Sequence, residues 1–486
     1  MSQSIAVGAV QPDGNVVHKR SGAKVSIKKD GTQVVHRLEE QGLVAEYPVA
    51  YTVGAGAVGY SYLVRDGPYL FQSPISYYTQ TKSYDLTPGY ETERLLDFTH
   101  PIPEGCLFCH TGSTNLIRGT TNGYGEPAFT PISCERCHGL SERHLTKPEP
   151  GSIVNPAKLA ERARASVCEQ CHLEGETRVL HPGKTWTDFQ AGLELESTFT
   201  TYLRNASVSD TSLRAVSQSE QLAQSKCARS SQGKLWCGTC HNPHEEAEDR
   251  PKQIRSICLS CHASLFESAK HQPAAECISC HMPRLRPTNV AHSAITDHRI
   301  PRVKAEQQQE NTSEQPGEDW RLHAWRPPAG SLAQRDLGVA YYELGVVEHN
   351  SKEVLEAYEL LSHLTVSERS KDPETLADLG SILLQEKQSD LALRLFAEAI
   401  ALEPNNARLA YSHALALEQK GDLPAAIKEL KRSIQLDPAI PKPYLRLAQI
   451  YDHLGQRALR AQILADYLKI APMNLEFRGG SVTVTP

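Results

Sequence analysis

The pentapeptide Cys-x-x-Cys-His occurs six times in this chain, and that repetition constrains its fold more than any other feature. The copies run from Cys106, Cys134, Cys168, Cys237, Cys258 and Cys277 to His110, His138, His172, His241, His262 and His281. They use twelve of the thirteen cysteines. Two thiols three residues apart, followed at once by an imidazole, form the attachment pattern of c-type haem. The thiols bond the two vinyl groups and the imidazole reaches the iron. The expected cofactor is therefore six haem c. The attaching thiols would be Cys106, Cys109, Cys134, Cys137, Cys168, Cys171, Cys237, Cys240, Cys258, Cys261, Cys277 and Cys280. The six following histidines would be the proximal iron ligands.

Rival readings of paired cysteines explain less. Structural zinc uses Cys-x-x-Cys pairs but does not require His directly after the second cysteine in every copy. A thioredoxin-like redox pair needs a strand-to-helix setting. A disulfide framework predicts no histidine at a fixed offset. With 486 residues the chain has room for two to four domains. Its formal charge of −6 and lack of a basic run argue against nucleic acid as a partner. No apolar stretch reaches the roughly 18 residues a membrane-spanning helix needs.

Five regions are legible. Residues 1–95 read as β-rich, with Val25–Lys28 and Gln33–Leu38 alternating around Lys29-Asp30-Gly31 and further strands over Leu43–Val53, Val58–Val64 and Tyr69–Phe71. Gly54, Gly56 and Gly59 match a dinucleotide fingerprint, but that site requires a helix next, and Tyr60–Arg65 reads as a strand. Residues 96–303 hold all six motifs, at about 35 residues each. That is too little chain to bury six macrocycles conventionally, so the haems are expected to form the core, wrapped by short helices. Motif starts lie 28, 34, 69, 21 and 19 residues apart, and the long interval, including Thr185–Gln224, predicts an excursion. Residues 304–330 read as a polar linker, docked through Trp320 and Trp325.

Residues 331–474 repeat: Pro404, Pro438 and Pro472 are 34 residues apart, the tetratricopeptide period. Leu379-Gly380, Leu383, Ala392, Phe396 and Ala399 fit that pattern, as do Leu417, Ala426 and Leu430, and then Leu447-Ala448, Tyr451 and Leu464. An irregular first unit holds Leu337-Gly338 and Tyr341, with eight extra residues before the next. Stacked helix pairs of this kind form a solenoid with a concave binding face. Residues 475–486 read as a strand-like tail. The expected fold class is mainly α with a small N-terminal β region, a haem-packed domain and an α-solenoid.

Six-coordinate irons need distal ligands. Methionine is scarce: Met1, Met282 and Met473 are all there is, and Met282 adjoins a proximal histidine. Histidine is therefore the expected ligand, which lowers the potential relative to Met–His ligation. Fourteen of the 20 histidines lie outside the motifs. His349, His363, His413 and His453 belong to the repeats and His323 to the linker. The expected distal set is His36, His144, His244, His271, His292 and His298, with His100 in reserve. His18 and His181 read as surface residues, and Cys227 as a buried structural thiol. A saturated set favours electron transfer over catalysis at iron. The alternative is an oxidoreductase with one open-site haem acting on a small nitrogen or sulfur compound.

The pattern resembles bacterial multihaem c-type cytochromes fused to C-terminal tetratricopeptide repeats. The resemblance rests on Tyr51–Tyr62, Cys134–Gly139 with His144, Val154-Asn-Pro156, Val167–Leu173, Cys237–His244, Cys280–Pro283 and Thr296–Ile300. Relatives often carry a histidine where this chain has Ala57-Val58. The resemblance implies electron transfer with redox partner proteins. It also implies haem attachment outside the cytoplasmic membrane, hence a periplasmic or extracellular location. Met1–Val10 shows neither the basic start nor the apolar core of a signal peptide. Strand-like segments at both ends, Ser4–Val10 and Ser481–Thr485, together with the repeats, suggest a homo-oligomer or a conducting filament.

Overall fold

The computed structural model describes the chain apart from residues 1–12, 31–32, 55, 57, 92, 95, 205–213, 245–249, 264–276, 288–289, 291, 302–319, 472–473, 475–476 and 478–486. His271, Ala57, Pro472, most of the linker and both terminal strand-like segments lie outside the described residues. Two compact units divide the rest. One joins Ser133–Arg178 to Asp188–Pro327; the other joins the chain up to Ile132 with Val179–Thr187 and Pro328–Pro486. The sequence reading grouped all six pentapeptides in 96–303. In the fold, the first belongs with the sheet and the repeats, and the other five form the motif unit.

The sheet–repeat unit begins with a seven-stranded antiparallel meander, hydrogen-bonded in chain order. Its strands are β1 Gly14–Val17, β2 Lys24–Asp30, β3 Gln33–Glu40, β4 Leu43–Val53, β5 Gly59–Asp66, β6 Tyr69–Tyr78 and β7 Ser83–Leu86. Side chains alternate between faces along a strand, so β3 buries His36, Leu38 and Glu40. Leu38 pairs with Val25 of β2 and Ala45 of β4. Val25, Ile27, Leu38, Val64, Phe71, Ile75, Tyr90, Leu96 and Phe98 close one core, which Ala439 of the repeats joins. The glycine fingerprint is the turn from β4 to β5. Gly54 sits at φ +123°, and a Cβ there would lie 2.6 Å from the Gly59 carbonyl oxygen. A strand follows it, as read, and not a helix.

Beyond the first pentapeptide, β8 Ser113–Leu116 and β9 Tyr124–Thr130 form a hairpin. The Thr121 amide in its turn donates to Asp437 Oδ2 at 2.9 Å, tying it to the repeats. Eight principal helices follow in four antiparallel pairs: Ser331–Val347 with Ser351–Ser362, Pro373–Gln385 with Ser389–Leu402, Ala407–Gln419 with Leu423–Leu436, and Pro441–His453 with Arg457–Tyr467. The extra residues of the first unit form a short helix, Val366–Arg369, started by a Thr365/Glu368 capping box. Gly380 is needed where it stands, because a Cβ would lie 2.7 Å from the buried Phe396 ring. Arg335 is 5% exposed and binds Asp336 at 3.0 Å, Asp372 at 2.7 Å, Glu374 at 2.5 Å and the Leu180 carbonyl at 2.7 Å.

The motif unit is built differently. Its helices include single turns, Glu135–His138, Cys237–Cys240 and Cys277–His281, and the longest described is the 13-residue Arg250–His262. The expected excursion contains a strand, Phe199–Arg204, which pairs antiparallel with Leu322–Ala324. Trp325 docks the linker's end: its amide donates to the Thr201 carbonyl at 2.8 Å and its indole to Glu169 at 3.3 Å. Buried apolar residues are Ala163, Val167, Leu173, Phe189, Ala191, Leu195, Phe199, Tyr202, Ile254 and Leu322. Among the described residues from Cys237 to Pro301, Ile254 and Pro287 are the buried apolar side chains. No described helix is long and apolar enough to cross a membrane.

Candidate functional site

Every pentapeptide lies on or at the end of a helical turn. Cys106 to His110 ends Glu104–His110, Cys168 to His172 ends Glu161–His172, and Cys258 to His262 ends Arg250–His262. The other three are themselves short helices or abut one. Helical residues three apart share a face, so each turn presents two thiols together with an imidazole one residue on. All thirteen cysteines are free thiols. The motif histidines are exposed or half-exposed. None is a packed core residue.

Their ring nitrogens are set by neighbours. His138 Nδ1 lies 2.7 Å from the Val154 carbonyl and His281 Nδ1 2.9 Å from the Pro301 carbonyl. His298 Nδ1 is 2.8 Å from the Thr296 carbonyl. A carbonyl only accepts, so each Nδ1 carries the proton and each Nε2 keeps a lone pair. His144 Nδ1 meets Ser152 Oγ at 2.8 Å, and His172 Nδ1 meets the Gln218 side-chain oxygen at 3.1 Å.

Two imidazole pairs are brought together. His138 and His244 face each other with Nε2 atoms 3.5 Å apart, ring centroids 5.7 Å apart and planes 19° apart. His241 and His298 are 6.2 Å apart at 25°. In each pair a motif histidine meets one from the expected distal set, contributed by a different motif or by the segment after the last.

The thiols of successive motifs adjoin one another. The Cys168 thiol donates to the Cys237 sulfur, which raises Cys168 and lowers Cys237 from the usual thiol range. Cys137 lies within electrostatic reach of Cys168, and Cys240 of Cys258. Burial, and then Cys277 beside it, pushes Cys258 up to about 11. The odd Cys227 stands near both Cys240 and Cys258 and is half-exposed rather than buried. Motifs two to six therefore follow one another in space as they do in sequence.

The remaining candidates lie elsewhere. His36 is fully buried in the sheet core, with Nδ1 2.9 Å from Ser73 Oγ, its ring edge-on to Tyr62, and no partner on Nε2. Burial pushes it down to about 3. His100 stacks on Tyr90 at 4.0 Å. His292 is exposed, at φ +52°. His18 and His181, read as surface residues, are both buried. His18 closes the β1–β2 turn onto Ser21, and His181 is held by Asp336 at 3.2 Å. Sequence reasoning missed Ser152, Val154 and Gln218, which orient the imidazoles. A carbonyl or amide acting at a distance leaves no local pattern, although Val154 was within one of the resembling stretches.

The tetratricopeptide repeat family matches residues 407–440. Over 91 residues, 19% of this chain, it is 32% identical to the inactive TPR repeat-containing thioredoxin TTL3 of Arabidopsis thaliana, covering 13% of that protein. Over 101 residues, 21% of the chain, it is 29% identical to the Hsp70-Hsp90 organizing protein 3 of the same plant, covering 18% of it. The chain thus spans less than a fifth of either relative. A crystal structure of MamA is 22% identical and covers 31% of this chain and 79% of its own, with a TM-score of 0.25.

Proposed function

We propose that this chain is a six-haem c-type cytochrome that carries electrons, with tetratricopeptide repeats that bind other proteins. The observation that carries the reading is the His138–His244 pair. His138 is held with its Nε2 lone pair outward and faces a second Nε2 across 3.5 Å. Two facing imidazoles of this kind are the residues that would hold a haem iron. Cys134 and Cys137 sit four residues and one residue before His138, on the same turn. Two thiols and the following imidazole on one turn, with a second imidazole facing it, are a donor set that fits haem c.

Haem bound here would supply a one-electron iron couple. The chain's own residues would do the rest. Thiols would anchor each group, and the Val154, Pro301 and Thr296 carbonyls would fix imidazole tautomers and orientations, as outer partners of metal-bound histidines do. Exposed Leu140 and Leu145, at 74% and 77%, flank the second motif and would supply apolar contact. The succession of motifs two to six supports a linear path. The repeats would hold a redox partner or a second copy of the chain. Attachment of this kind implies a site outside the cytoplasmic membrane.

The test is to produce the chain with a c-type maturation apparatus. Mass spectrometry and pyridine haemochrome should each count six haems, with low-spin ferric signals dominating the electron paramagnetic resonance spectrum. Zinc in place of haem, or no covalent haem, would sink the reading.

A further inference from the structure

We propose that Gln218 is a positioning residue that sets the reduction potential of the third haem, the one on Cys168 to His172. This rests on the cytochrome reading above. His172 Nδ1 lies 3.1 Å from the Gln218 side-chain oxygen. The orientation of that amide is fixed, because its nitrogen donates to the Ala215 carbonyl at 2.8 Å. An amide nitrogen only donates, so the oxygen is the atom turned to the ring. Nδ1 then carries the proton, and Nε2 keeps its lone pair for iron. The second and sixth motifs differ in the acceptor. His138 and His281 meet backbone carbonyls, those of Val154 and Pro301. No substitution at those two positions removes the oxygen, whereas the oxygen facing His172 belongs to a side chain.

That oxygen is also held in place. Gln218 opens the helix Gln218–Gln224, which returns from the long excursion to the residues that follow the third motif. The Glu174 amide donates to the Val216 carbonyl at 3.1 Å, and the Gly175 amide to the Glu220 carboxylate at 2.8 Å. One turn along, buried Gln221 accepts from the His298 amide at 2.8 Å and donates to Ser217 Oγ at 2.8 Å. The helix is thus tied both to the chain just after His172 and to the segment that carries His298. A pre-organised acceptor on Nδ1 raises the basicity of a metal-bound imidazole. A more basic ligand favours ferric over ferrous iron and lowers the potential. Removing the acceptor should therefore raise the potential. A carboxylate acceptor makes a stronger hydrogen bond and should lower it further.

The experiment is a spectroelectrochemical titration of the six-haem protein, fitted to six one-electron steps. In Gln218→Leu one step should move to higher potential, and in Gln218→Glu one step should move lower. A role in packing alone would move both variants the same way or neither. Gln224→Glu adds the same charge about 9 Å further along the same helix and should move the steps less. The g values of one low-spin ferric signal should change in both Gln218 variants and stay put in Gln224→Glu. Should Gln218→Leu not fold, the comparison of Gln218→Glu with Gln224→Glu decides. Six haems whose potentials stay unchanged, shift the same way in both Gln218 variants, or shift equally in Gln224→Glu overturn the inference and leave the cytochrome reading standing. Absence of covalent haem overturns both.

Discussion

The two units of this chain stabilise themselves by different means. The sheet–repeat unit closes on its own side chains: Val25, Leu38 and Ile75 are fully buried in the sheet, and Phe396, Leu430 and Leu447 in the repeats. Each fully buried side chain of this size contributes about 1.5–3 kcal/mol. The motif unit has a buried patch from Ala163 to Tyr202, and then from Cys237 to Pro301 a stretch of short helices whose described buried apolar residues are Ile254 and Pro287. Helices of one turn do not persist in water on propensity alone, since nucleation is unfavourable. On the proposed function, haems would fill the place that apolar side chains hold in the other unit.

The largest test of that contrast is to withhold the haem. Without attachment, the region 237–301 is expected to lose its protection and be cut by protease on the order of 100-fold or more faster, because cleavage tracks the open population. Fragments carrying 331–467 and the sheet should survive. Equal protection of both units, followed by mass spectrometry of the fragments, would break the comparison.

Next in size is Arg335, where the sheet–repeat unit depends on charge as well as apolar burial. Its guanidinium is 6% exposed and joins Asp336, Asp372 and Glu374. Removing one partner of such a buried set leaves uncompensated charge and costs about 3–5 kcal/mol. Arg335→Ala should lower the unfolding free energy of the repeats, read from urea titration, by that amount and leave haem spectra unchanged. A loss under about 1 kcal/mol, typical of a surface pair, would show the network to be solvated.

How far the sequence carries depends on the range of the interaction. The glycine turn at Gly54–Gly59, the repeat helices and the motif turns are local patterns, and the structure places elements where those patterns fall. The pairing of His138 with His244 is not local: 106 residues separate them. The residue types and the idea of a neighbouring partner were legible, but which motif would face His244 was not. His36 shows the same limit. It is legible as a histidine on a strand, whereas its neighbours Ser73 and Tyr62 come from other strands. The placement of the first motif with the sheet depends on contacts between residues far apart in sequence, not on spacing along the chain.

His36 gives the third test, since burial makes the sheet acid-sensitive. Its folded value is about 3 against an ordinary 6.5. A base depressed in the folded state is bound by fewer protons there than in the unfolded chain, so stability rises with pH between those values. It is full above 6.5 and falls as pH drops toward 3. At pH 5 the loss is about 2 kcal/mol. Tyrosine fluorescence during urea unfolding at pH 7 and pH 5 should show that difference, and His36→Leu should remove most of it. An unchanged pH dependence in the variant would take the effect away from His36; Glu40, whose burial raises its carboxyl, acts with the opposite sign and cannot supply it.

The smallest effect separates helix-starting chemistry from packing in the matched repeat. Asn406 caps Ala407–Gln419, its side-chain oxygen accepting from the Arg408 and Leu409 amides at 3.0 and 3.2 Å. Without that oxygen, two amides of the first turn lose their partner and turn to water. Asn406→Ala should cost about 1 kcal/mol, lowering the midpoint of the repeats while leaving every haem signal in place. Asn406→Asp keeps the acceptor and adds a charge favourable to a helix N-terminus, so it should recover the loss. If both variants cost the same, the contact of Asn406 with Glu403 at 2.8 Å, and not the cap, is what the helix start relies on.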